Sequence, residues 1–225
     1  HATTTCEIAY LFREFTKIPM IYDVHGIVDS RNKKAISREK IIFRDFEGII
    51  VESDRTKKYI LSQNRNLNPE KIYVVSECVD LETLESNIND QKKFEIINKY
   101  ELEGKKIVMY GGVISDGVQD SMCLFRTLKR INTHYLDFSD SVSLVIITKK
   151  DNIERKFMNK INNYISDNNL TNITWIDPVS YSDLYNYYQV ANVIICPASK
   201  PLSSVIATST LEPLTKVFVS MGSST

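Results

Sequence analysis

The stretch KIVMYGGVISDGVQD, residues 106–120, decides how the chain folds. Lys106 to Tyr110 form a mostly apolar run that breaks at Gly111-Gly112, and with Gly117 the stretch holds three of the seven glycines in the protein. A continuous apolar run that ends in glycine is the pattern of a strand covered on both faces and turning sharply at its carboxyl end. The loop behind it carries Asp116 and Asp120 and no cation. Its glycines let the backbone approach a ligand closely, or they do no more than turn a strand into a helix.

The same pattern recurs on both sides. Similar runs stand at 18–24 (IPMIYDV), 48–53 (GIIVES), 71–76 (KIYVVS), 143–148 (SLVIIT), 172–176 (NITWI), 192–196 (NVIIC) and 216–220 (KVFVS). Helical periodicities lie between them. Ile153, Phe157, Ile161, Tyr164 and Ile165 make one stripe along 151–168, and Ile8, Leu11, Phe12 and Phe15 share one face of a helix near the start. Strand then helix, repeated, builds parallel sheet with right-handed crossovers. The rhythm fails once, in the polar stretch between Asp80 and Lys105. The expected architecture is therefore α/β, with two Rossmann-type doubly wound parallel-sheet domains. Residues 1–84 read as the C-terminal half of a first, incomplete domain, 85–104 as a linker, and 105–225 as a second domain cut short at its C-terminus. The chain begins at His1 without a methionine and stops soon after an apolar run, so an excised fragment is expected. In open sheets of this kind ligands sit at the carboxyl ends of the strands.

Composition narrows the function classes. The 225 residues carry 28 basic and 28 acidic side chains, so no whole-protein field draws nucleic acid or an anionic membrane. The four cysteines, Cys6, Cys78, Cys123 and Cys196, are far apart, with no C-x-x-C spacing, and read as buried free thiols of a reducing compartment rather than a metal site. No apolar run approaches the roughly 20 residues needed to span a bilayer, and no signal peptide is visible. The expected location is cytoplasmic.

Three segments of the first part, IPMIYDVHG (18–26), GIIVESDRTKKYIL (48–61) and KIYVVSECVD (71–80), resemble the closing half of the N-terminal domain of retaining GT-B glycosyltransferases. This is the family-four (group 1) type, which includes sucrose synthase-like and mannosyltransferase enzymes. KKIVMYGG (105–112) looks like the first strand and glycine loop of that family's nucleotide-binding domain. SLVIIT, the segment 172–199 and TLEPLTKVFVS (210–220) follow in the family's order, so the resemblance covers nearly the whole chain.

The resemblance implies a GT-B-like fold and a set of site residues. His25 takes the position of the active-site histidine near the donor sugar, Gly111 and Gly112 lie at the diphosphate, and Glu212 takes that of a glutamate holding the nucleotide ribose. Read without the family, His25 is a histidine at a strand terminus and Glu212 an acidic residue favoured near a helix N-terminus. The sequence departs from the family in three places. Gly112 stands where the family has an arginine, Gln119-Asp120 approximately where it has a lysine, and Ser204 where it has a first glutamate, eight positions before Glu212. A leaving diphosphate needs donors and cations aimed at its developing charge. Here the backbone N–H groups of the glycine turn and the next helix N-terminus remain, with Lys149, Lys150 and Lys200 as replacement cations after neighbouring strands. Asp116 and Asp120 oppose them. At an effective dielectric of about 20 a like-charge contact at ~4 Å costs on the order of 4 kcal/mol, more than a helix terminus returns. Weak nucleotide binding is expected unless one of those lysines turns into the site.

Other constellations are poor. No Ser–His–Asp elbow, P-loop, zinc spacing or G-x-G-x-x-G fingerprint is present, His134 reads as exposed loop, and Leu184, Tyr187, Tyr188 and Ala191 read as the packed face of a helix. Two functions stay open. One is transfer of a hexose, with retention, from a nucleotide sugar to a glycan, lipid or protein acceptor, with the donor as substrate and no metal or other cofactor. The other is a catalytically degenerate GT-B-fold protein that binds as an accessory subunit, at a membrane surface or beside a partner transferase. A nucleotide-sugar epimerase would need carboxylates that have no place here. No nucleic-acid partner is expected.

Overall fold

The computed structural model describes residues 2–24, 33–76, 78, 80, 82, 86–116 and 120–197. They form two compact units, one up to residue 76 and one from Cys78 to residue 197.

The first unit contains α1 (Ala2–Thr16), β1 (Ile21–Val24), α2 (Lys33–Asp45), β2 (Gly48–Val51), α3 (Asp54–Gln63) and β3 (Ile72–Val74). The strands form a parallel sheet in the order β1-β2-β3. One face of it is covered: Tyr22, Val24, Ile49, Val51 and Ile72 pack against Ile42 and Phe43 of α2 and Ile60 of α3. The other face presents Ile21 and Tyr73 to solvent. The early helix forms as the periodicity requires, but its expected apolar face points outward. Phe15 is 87% exposed and Ile8, Leu11 and Phe12 are exposed with it, while Ala9 and Tyr10 meet the core. Arg13 ties this helix down through a 2.5 Å ion pair to Glu47, whose other oxygen accepts the Met20 N–H at 2.7 Å. The Arg13 guanidinium holds the Glu47 carboxyl down to about 2.

Glu39 on α2 is buried, and its carboxyl oxygen accepts a long 3.4 Å hydrogen bond from the Tyr22 hydroxyl. Burial lifts its pKa from the usual 4.5 to about 7, against the opposing effect of that hydrogen bond. Between these values the folded chain holds a proton that the unfolded chain has released. Stability of the first unit should therefore fall as pH rises from about 4.5 to 7, by roughly 2–3 kcal/mol in all, and stay low above that. Glu39→Gln should flatten this dependence in urea melts taken at pH 5 and pH 8, and a wild-type midpoint that does not move between them would refute it.

The second unit contains α4 (Asp90–Lys99), β4 (Lys106–Gly111), α5 (Met122–His134), α6 (Leu136–Ser139), β5 (Val142–Ile147), α7 (Arg155–Asp167), β6 (Ile173–Ile176), α8 (Tyr181–Val190) and β7 (Val193–Ile194). Its four strands are parallel in the order β6-β5-β4-β7. Helices cover both faces. Leu144 and Ile146 face α5 and α7 through Phe125, Phe157 and Ile161, and the alternate residues Val145 and Ile147 face α4 and α8. This accounts for the unbroken SLVIIT run, since every residue of β5 is buried. The segment read as a linker carries α4, whose Ile96 packs with Leu102 in the core on the α8 side. Asn89 caps α4 through the Lys92 N–H. His134 is exposed as expected but ends α5 rather than lying in a loop. The 216–220 run lies outside the described residues. Among the described residues no helix is long and apolar enough to cross a membrane.

Candidate functional site

The strand order reverses at β4, with β5 and β6 on one side and β7 on the other, which is where an open α/β sheet leaves a crevice beyond its carboxyl edge. A cavity of about 540 Å³ lies there. It is lined by the turn after β4 (Gly111 to Ile114), the turn after β5 (Thr148, Lys149, Asn152, Ile153), the Pro178-Val179 segment after β6, and Tyr181, Leu184 and Tyr188 of α8.

Gly111 ends β4 in register with Ile147. A Cβ there would lie 2.7 Å from the Tyr188 hydroxyl oxygen, so the close approach of that side chain is what requires glycine. Gly112 has φ 150°, a conformation that favours glycine. Its N–H donates to the Ile147 carbonyl at 3.1 Å and is spent on the sheet. Donors for a ligand must come from the next residues, because no hydrogen bond among the described residues occupies the N–H of Val113 or Ile114. The helix after the loop contributes less than expected. Its first-turn N–H groups at Cys123 and Leu124 donate to the Asp120 and Ser121 carbonyls, and it does not line the cavity.

Each carboxylate expected to oppose an anion has a cation beside it. Asp116 pairs with Lys160 at 3.4 Å and Asp120 with Arg126 at 2.5 Å. Among the described residues no carboxylate lines the cavity. Of the candidate cations, Lys149 lines it, whereas Lys150 lies over the Trp175 ring with its Nζ 4.6 Å from the centroid.

Gly111, Gly112 and Lys149 are thus brought together in one cavity. His25, Lys200 and Glu212 lie outside the described residues. The sequence did not point to Thr148, Pro178, Val179 or the hydroxyl of Tyr188 as lining residues. Tyr188 was read as packing, and it does pack, in the core on the α8 side, with its ring end reaching the cavity. A tyrosine on a buried helical face was the available signal, because a phenol placed there normally needs a partner.

Comparison with known proteins then places this arrangement. No family model matches the chain, and no curated protein matches it by sequence. Solved structures do match. HepE from Anabaena in complex with UDP has TM-score 0.70 at 8% identity, over 85% of this chain and 50% of that chain. The fold is GT-B-like. A glycosyltransferase from Rickettsia africae, at TM-score 0.65 and 18% identity, and the trehalose 6-phosphate synthase of Burkholderia multivorans, at 0.66 and 14%, share it. They are covered over 48% of their length by 85% and 84% of this chain. The chain spans about half the length of these GT-B structures, consistent with an incomplete first Rossmann-like domain.

Proposed function

We propose that the second unit binds the nucleotide part of a sugar donor, and that the chain belongs to a retaining hexosyltransferase of the family-four type acting on a glycan, lipid or protein acceptor. The observation that carries this is the cavity at the carboxyl ends of β4, β5 and β6, which joins the glycine turn to Lys149 and holds no carboxylate among the described residues. Structural neighbours described as complexes with UDP and with UDP-glucose support the same assignment. In this scheme the Lys149 ammonium and the free N–H groups of the Val113-Ile114 turn meet the charge that builds on the leaving diphosphate. His25 at the sugar, Glu212 on the ribose and Lys200 as a further cation complete the proposal.

The second reading, binding without turnover, is favoured by one feature. Gly112 stands where the resembled family has an arginine, and Lys149 is the one cation among the described lining residues. The transfer reading requires nucleotide binding. Isothermal titration with nucleoside diphosphates should show saturable binding with Kd below about 1 mM. Lys149→Ala should weaken it about tenfold, the worth of one partly exposed charge-assisted contact. Failure of every nucleoside diphosphate to bind would overturn the transfer reading. Transfer of sugar to water or to a model acceptor, tested with UDP-glucose, separates the first from the second.

A further inference from the structure

The Tyr188 side chain sits at an unusual place for a core tyrosine. It is 4% exposed and packs on α8 in the core shared with Met109 and Ile147, yet its hydroxyl ends at the cavity, against Gly111. That hydroxyl makes no hydrogen bond among the described residues, although a buried phenol normally has one. Thr148, 7% exposed and lining the same cavity, likewise has no hydrogen-bond partner for its hydroxyl among the described residues. Two residues that are more than nine-tenths buried therefore line one cavity with hydroxyls that have no protein partner among the described residues. Each is a donor available to a ligand oxygen in the cavity.

The lining is also uneven. Thr148, Lys149 and Asn152 follow β5, next to the glycine turn, together with the apolar Ile153, while the segment after β6 and the neighbouring turns of α8 contribute Pro178, Val179, Tyr181 and Leu184. The polar side suits the anionic end of a nucleotide, and the Tyr188 hydroxyl, over Gly111, belongs to that side.

We propose that Tyr188 is a ligand-binding residue whose phenol O–H donates a hydrogen bond to a phosphate oxygen of the nucleotide seated at the Gly111-Gly112 turn. This rests on the nucleotide-binding reading above and adds a contact to it. Burial, with smaller contributions from Cys196 and Tyr181, pushes the Tyr188 pKa up to about 12, so the group stays a neutral donor at physiological pH. A neutral donor held in place by packing supplies part of what a cation beside the glycine turn would supply, without bringing a charge into a site walled by apolar side chains.

Tyr188→Phe keeps the ring and removes only the hydroxyl. Titration of wild type and variant with UDP and with uridine tests the contact. The variant should bind UDP about 10- to 100-fold more weakly, the range for a hydrogen bond to a charged group, while its affinity for uridine stays within about twofold. Its melting temperature should be equal to or above that of the wild type, because the hydroxyl removed has no partner among the described residues. An unchanged UDP affinity, an equal loss for UDP and uridine, or a variant that loses its fold would each overturn the proposal while leaving nucleotide binding standing. A wild type that binds neither ligand would overturn both.

Discussion

Gly111→Ala is expected to destabilise the second unit by about 1–3 kcal/mol, and adding Tyr188→Phe to recover most of that loss. The added methyl would lie 2.7 Å from the Tyr188 hydroxyl oxygen but 3.5 Å from Cε1 and Cζ of the same ring, which is ordinary van der Waals contact. The clash is therefore with one atom. Tyr188 cannot swing away cheaply, since it is buried in the core shared by Ile107, Met109 and Ile147. Removing the hydroxyl turns an overlap into a normal contact. Urea unfolding of the two single variants and the double variant gives the coupling directly. A coupling of about 1 kcal/mol or more in the favourable direction is expected, and simple additivity would show that the backbone of β4 shifts to take the methyl.

A second large effect is expected at Asn186. This amide is 1% exposed on α8 and holds the chain before α4 from both ends, accepting the Asn89 N–H at 2.8 Å and donating to the Asn87 carbonyl at 2.9 Å. Asn186→Ala removes both hydrogen bonds and leaves the part-buried Asn89 N–H and Asn87 carbonyl without their protein partner, at a cost of about 1–3 kcal/mol. The exposed Lys92–Asp183 ion pair joins the same two helices. Asp183→Ala should cost less than about 1 kcal/mol, as solvent-exposed pairs usually do. If the two alanine variants lose equal stability, the amide clip does not dock α4.

The strands were legible because both-sided burial leaves a simple trace in sequence. In β5 every position is covered, so SLVIIT could be little else, and the Lys106 to Tyr110 run declared its turn through Gly111 and Gly112. Helix α4 was hidden for the opposite reason. Its segment is polar and only Ile96 of the helix is buried, so the docking depends on Asn186, almost a hundred residues away in the chain. The glycine turn of the site was legible, and the partners of its carboxylates were not. Asp116 and Asp120 stand beside the glycines in sequence, while Lys160 and Arg126, each on a different helix, pair with them. Such pairs are made by neighbours in space, which a sequence does not show. Tyr188 escaped notice because a periodicity counts a tyrosine as apolar and cannot show where its hydroxyl ends.

The stacking of Lys150 on Trp175 gives the molecule a built-in optical reporter. Trp175 is the only tryptophan in the 225 residues, it lies on β6 with its ring 6.1 Å from that of Phe125, and the ammonium over it belongs to the residue next to Lys149. Its emission therefore arises from a single, known environment, and any ligand that draws the Lys149-Lys150 turn inward changes the distance between a charge and the one fluorophore. Occupancy of the cavity can be followed in dilute solution by light alone, with no label attached.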